Sequence, residues 1–155
     1  MFSRLDYCNS LLSNLTDDTM YKLQRSQNQA ARLILKKKKR DHIKPLLLKL
    51  HWLPVKARIS YKAAVLCHKS LHGNAPSYLS SLIQQYVPSR SLRSENKNLI
   101  RVPTKGSRKF CERAFSHFGP STWNSLPQHL RTIESESLFK KHLKTYLIRQ
   151  HCDDS

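Results

Sequence analysis

The stretch Leu50-His51-Trp52-Leu53-Pro54-Val55 launches a helix, and the rest of the chain is legible as segments arranged around it. Proline suits the first helical position, where a missing N–H removes no hydrogen bond and the fixed φ is already right, so Pro54 marks the start. Glycine suits the left-handed position that closes a helix, and Gly73 therefore ends a span expected at 55–72. Trp52 and Leu53 are placed to pack beside the new helix. At the helical period Ile59, Ala63, Leu66, Cys67 and Ser70 form one stripe. Arg58, Lys62 and Lys69 form a second stripe next to it. An aromatic anchor, an apolar face and a basic face on one helix predict a packed module with a polyanion outside.

Charge is the loudest feature of the composition: 28 Lys and Arg stand against 10 Asp and Glu, a net +18 in 155 residues. Between Thr19 and Ser94 the only acidic residue is Asp41. So much uncompensated positive charge repels itself, and a polyanionic partner explains it. Nucleic acid is the first candidate and an anionic membrane surface the second. Apolar residues make up 39% of the chain, enough for a core and too many for a disordered segment. Four cysteines, at Cys8, Cys67, Cys111 and Cys152, show no C-x-x-C spacing and no signal peptide precedes them, so free thiols in a reducing compartment are expected. No apolar run is long enough to span a bilayer. The opening Met-Phe-Ser-Arg-Leu-Asp-Tyr-Cys reads as the inside of something larger.

Outward from the Trp52 corner, helical periodicity dominates. A short helix is expected over 3–12, with Leu5, Cys8, Leu11 and Leu12 on one side. Thr16-Asp17-Asp18 then supplies a cap and a negative first turn for a helix reaching about residue 35. Met20, Leu23, Gln27, Ala30 and Ile34 share its core face, and Lys22, Arg25, Gln29, Arg32 and Lys36 share the opposite one. Lys36, Lys37, Lys38, Lys39 and Arg40 end it, five cations where dipole compensation needs fewer. Short helices are expected at 45–50 and, opened by Ala75-Pro76, at 76–86 with Tyr78, Leu79, Leu82 and Ile83 inward. Residues 99–103 read as a strand, paired across Lys105-Gly106 with 108–111. Helical segments follow at 112–118 and after Pro120, the latter carrying Trp123. A last helix, capped by Ser135 or Ser137 and reaching about residue 150, turns Phe139, Leu143, Tyr146 and Leu147 inward and Lys140, Lys141 and Lys144 outward. The expected class is mostly α: a small helical bundle with a short, loosely ordered β-hairpin and a C-terminal helix.

Seven pieces in order carry a family pattern: Ser-Arg-Leu-Asp-Tyr-Cys-Asn-Ser-Leu-Leu (3–12), Leu-Gln-Arg-Ser-Gln-Asn-Gln-Ala-Ala-Arg-Leu (23–33), Leu-His-Trp-Leu-Pro-Val (50–55), Ala-Pro-Ser-Tyr-Leu (75–79), Arg-Ala-Phe (113–115), Trp-Asn-Ser-Leu-Pro (123–127) and Phe-Lys-Lys-His-Leu-Lys-Thr-Tyr-Leu (139–147). Together they resemble the C-terminal end of the reverse transcriptase of LINE-type (non-LTR) retrotransposons, the jockey-like and vertebrate-repeat kind. The resemblance covers nearly the whole chain. It implies a thumb-like helical region over 1–88 and a C-terminal tail region over 89–155, packed as one unit. In that family the thumb helices cradle the template–primer duplex, downstream of an endonuclease and a polymerase. The family's polymerase motif, an aromatic residue, any residue and two aspartates, does not occur in this chain. Asp17-Asp18, and the uniformity of the basic run at 36–40, depart from the family pattern.

Three constellations have chemical readings to weigh. Asp17-Asp18 follows Leu15-Thr16 rather than an aromatic strand and opens a helix, so capping displaces Mg²⁺ binding. His68 and His72 share a helix face, but no third ligand stands at close spacing, and no metal or other cofactor is expected. Cys67 lies on the apolar stripe, where a thiol behaves as a small hydrophobe. The predicted function is therefore non-catalytic: contact with the backbone of an RNA or RNA–DNA duplex through Lys22, Arg25, Arg32, Lys36, Lys37, Lys38, Lys39, Arg40, Arg58, Lys62 and Lys69. Trp52 and Trp123 are expected as core anchors. The upstream polymerase domain of the same element is a further expected partner, a membrane is not, and the location is nuclear and cytoplasmic. The 36–40 run also fits a nuclear-import signal. The rivals are a protein-interaction module derived from a retroelement and a remnant without function.

Overall fold

A computed structural model describes residues 15–87, 98–103 and 114–153, and they form a mostly helical bundle. In chain order its helices are α1 (Asp17–Ile34), α2 (Ile43–Lys49), α3 (Val55–Leu71), α4 (Ser77–Ser80), α5 (Phe115–Asn124), α6 (Gln128–Arg131) and α7 (Glu136–Asp153). The helix expected at 3–12 and the hairpin arm at 108–111 lie outside the described residues.

The first three helices end in the same way. After α1 the N–H of Lys37 donates to Arg32 O at 2.9 Å and that of Lys36 to Leu33 O at 3.3 Å, with Lys36 at φ 50°. After α2 Trp52 N–H meets Leu47 O and His51 N–H meets Leu48 O, both at 2.9 Å, with His51 at φ 53°. After α3 Asn74 N–H reaches Lys69 O at 2.8 Å around Gly73 at φ 71°. Each is a left-handed closure that satisfies orphan carbonyls, and only the third uses the glycine that such a position favours. Lys36 and His51 hold a conformation that costs an L-residue about 1–2 kcal/mol, which the closing hydrogen bonds offset.

Helix α3 lies at the centre. Val55, Ala57, Ile59, Ala63, Ala64, Val65, Cys67 and His68 are all buried, so it is covered on most sides rather than along one stripe. Pro54 caps the helix at φ −53°, ψ 153° instead of occupying its first position. Helices α5 and α7 make the main contacts with α3, and Trp123, Leu126, Leu130, Phe139, Leu143 and Leu147 fill the space between them. Small residues permit the close crossing with α5: a Cβ built on Gly119 would stand 3.0 Å from Cys67 Sγ. Two helices were expected on either side of Pro120, but α5 runs through it. The ring removes one N–H from a ten-residue helix whose Gly119-Pro120 face is buried, and packing outweighs that loss.

Two expectations fail in the same region. The helix expected over 76–86 stops after one turn, leaving Tyr78 67% and Leu82 45% exposed while Ile83 is buried. The chain extends because 84–86 pair with 99–101: Tyr86 N–H donates to Leu99 O at 2.9 Å and Arg101 N–H to Gln84 O at 2.8 Å. Gln85 opposite Ile100 is an isolated antiparallel bridge, and no strand occurs among the described residues. On its other edge Ile100 is clamped by the Asn124 amide, which accepts from its N–H at 2.9 Å and donates to its carbonyl at 2.8 Å. Both backbone groups of Ile100 on that edge are thus taken by one side chain.

Trp123 is fully buried and donates Nε1–H to Asn98 O at 2.8 Å, as a core anchor should. Trp52 is only half-buried and lines a shallow groove with Leu47, Leu48 and Ile148, so it is no core anchor. On α1 the core face is rotated from the expected arc. Gln27 and Ala31 are buried, while Ile34 is 56% exposed.

Candidate nucleic-acid interface

The eleven expected cations separate into two groups. Lys22 pairs with Asp18 at 2.6 Å across one helical turn, on open surface where such a pair is worth about 0–1 kcal/mol. Lys69 meets Glu136 at 3.3 Å, and Glu136 also binds Lys140. Hydrogen bonds from Lys140 and then Lys69 hold the Glu136 carboxyl below the usual carboxylate range, and Glu136 raises the Lys140 ammonium in return. Arg58 and Lys62 are half-buried and each interacts within the fold. Arg32 is half-buried too: one guanidinium nitrogen donates to Asp41 O at 3.2 Å, and its Nε is buried. Those five are engaged by the protein itself: Lys22 and Arg32 on the expected basic face of α1, and Arg58, Lys62 and Lys69 on the expected basic stripe of α3.

The other six stand clear. Arg25, Lys36, Lys37, Lys38, Lys39 and Arg40 are exposed, and among the described residues none of their side chains has a partner. Arg25 lies beside exposed Gln29 on the outer face of α1. The other five occupy the loop between α1 and α2, whose backbone is ordered from both ends. The left-handed closure at Lys36 fixes its start. At its end Lys38 and Asp41 bond each other twice: Asp41 N–H donates to Lys38 O at 3.1 Å, and Lys38 N–H donates to the Asp41 carboxylate at 2.9 Å. Arg32 adds the bond from α1. Charge density therefore sits on a shaped turn.

The sequence-based set leaves out two further exposed cations and the residue that shapes the loop. Lys49 and Lys56 are exposed cations on α2 and α3. Asp41, the lone acid between Thr19 and Ser94, is the residue on which the turn is built. Its signal was available: one carboxylate in a long basic stretch, directly after the charge run.

The catalytic and metal readings meet specific obstacles. Cys67 is a free, buried thiol that burial pushes up to about 12, so it carries no thiolate at neutral pH. The Nε2 of His68 is taken by Ile133 O at 2.8 Å, and its ring stacks on Phe139 with centroids 4.4 Å apart. Among the described residues no cluster of three or more His, Cys, Asp or Glu could hold a metal ion. Asp17 and Asp18 form the exposed first turn of α1. No described helix is long and apolar enough to cross a membrane. Comparison with protein-family models, with curated proteins and with solved structures returned no match for this chain.

Proposed function

We propose that this chain is a non-catalytic nucleic-acid-binding fragment of a retroelement reverse transcriptase, holding the phosphate backbone of an RNA or RNA–DNA duplex. The observation that carries the reading is the set of six exposed cations at Arg25 and 36–40, without a side-chain partner among the described residues and five of them on one hydrogen-bonded loop. Surface cations in folded proteins commonly mix with carboxylates. Here the nearest stretch offers one, and its charge is spent on the backbone of the turn. Phosphate contacts of this kind position a duplex without reading its bases, so weak sequence preference is expected. Binding to a mixed duplex should fall steeply with salt: with ~6 phosphates neutralised, affinity drops by roughly 10³-fold between about 50 and 200 mM. A flat salt response overturns the proposal.

A second reading, a protein-interaction module, draws on one observation. Leu33 is 81% exposed directly before the basic loop. Self-association that strengthens in high salt while duplex binding disappears would favour it.

A further inference from the structure

The 36–40 loop carries five cations, and an acid beside them lowers the loop's attraction for a polyanion. Asp41 is nevertheless its best-connected residue. Its carboxylate accepts Lys38 N–H at 2.9 Å, its own N–H reaches Lys38 O at 3.1 Å, and its carbonyl accepts from Arg32 at 3.2 Å. With Lys37 N–H on Arg32 O at 2.9 Å, Arg32 and Asp41 hold the two ends of the loop. Hydrogen bonds thus tie the loop at both its start and its end, and its cationic side chains project from that frame.

We propose that Asp41 is a positioning residue that locks this loop into one shape and so makes the chain favour a stiff, regularly spaced phosphate backbone over a flexible polyanion. The inference rests on the proposed nucleic-acid reading and adds the selectivity of the site. A flexible polyphosphate can wrap onto a loose loop or a fixed one, because the ligand adapts. A duplex cannot adapt, so the loop must already have, or acquire, the matching spacing. An unlocked loop reaches that shape in only a fraction of molecules, and apparent affinity falls by that fraction.

Charge and positioning predict opposite signs, which makes the test sharp. Asp41→Ala and Asp41→Asn both raise the net charge by one. Asparagine keeps an oxygen that can accept from Lys38 N–H, and alanine keeps none. Dissociation constants of the wild type and both variants would be measured for a blunt RNA–DNA duplex and for long-chain inorganic polyphosphate. Melting temperatures would establish that all three chains are folded. On the positioning account Asp41→Ala weakens duplex binding by about tenfold despite its extra charge, taking the folded-loop fraction to roughly one in ten. Asp41→Asn binds the duplex as tightly as wild type or tighter, and polyphosphate binds Asp41→Ala no worse than wild type. The salt slope for the duplex stays unchanged, since the same cations engage once bound. Equal tightening of both ligands by both variants overturns the proposal and leaves a purely electrostatic surface. Equal weakening of both ligands by Asp41→Ala overturns the selectivity. A wild type that binds no duplex overturns the functional reading together with this inference.

Discussion

Gln27, fully buried on α1, donates its side-chain amide to the carbonyl of Leu53 at 2.9 Å, just ahead of the central helix. Gln24 extends the link: its Nε2 donates to Gln27 Oε1 at 3.0 Å and its Oε1 accepts the Val55 N–H at 2.8 Å. Helix α1 is thus fastened to the start of α3 by amides rather than by an apolar stripe. Replacing Gln27 by leucine leaves the Leu53 carbonyl buried without its donor. The expected loss is about 1–3 kcal/mol of unfolding free energy, read from urea denaturation. A variant as stable as wild type would show that the amide link contributes nothing.

The two tryptophans should separate cleanly. Trp123 is fully buried and hydrogen-bonded, so Trp123→Ala is expected to lose about 3–5 kcal/mol. Trp52 is half-buried, and Trp52→Ala should lose clearly less. Thermal melts of the two variants decide it, and a larger loss at Trp52 would reverse the assignment of core and rim.

Acid should weaken the fold through His68. Burial lowers its pKa most, with His72 and Lys140 acting in the same direction, and Glu136 and the Ile133 carbonyl opposing. In the unfolded chain the ring takes up its proton near pH ~6.5. The folded ring takes it up at lower pH, so between those two values the unfolded state binds more protons. Stability from this group is therefore intact above about 6.5 and is lost as pH falls toward the folded value. Denaturation midpoints followed from pH 7.5 to 5 should decline in wild type and flatten in His68→Gln.

Packing at the α3–α5 crossing predicts a coupled pair. A methyl on Gly119 would come within 2.9 Å of Phe115 Cε2 and 3.0 Å of Cys67 Sγ. Gly119→Ala should destabilise by about 1–2 kcal/mol, since overpacking outweighs the gain in helix propensity. In a Cys67→Ala background the same change should do less harm, giving a measurable interaction energy. Strict additivity would mean that the two sites do not touch.

Several elements were legible because their causes are local. The start of α1 follows from Thr16, Asp17 and Asp18, and the end of α3 from Gly73. The inward face of α7 follows from Phe139, Leu143 and Leu147 at helical spacing. Each is settled by neighbours within about two turns. The elements that were misread have distant causes. Residues 84–86 leave the helical state because 99–101 pair with them. Pro120 stays inside α5 because its buried face is held against α3. Trp52 lies at the rim, beside Leu47, Leu48 and Ile148, while Trp123 from far along the chain fills the core against His68 and Phe139.

The candidate site divides along the same line. Composition and order alone determined that the chain is basic and mostly helical, and that its densest charge follows α1. Backbone propensity and the absence of neighbouring acids are properties of the covalent chain. Which cations are available was decided only by tertiary structure. Lys69 is removed by Glu136 and Arg32 is turned inward by Asp41, while Arg25 and the five residues at 36–40 remain exposed. An ion pair or a buried guanidinium depends on which segments meet in space, and one-dimensional spacing does not contain that distance.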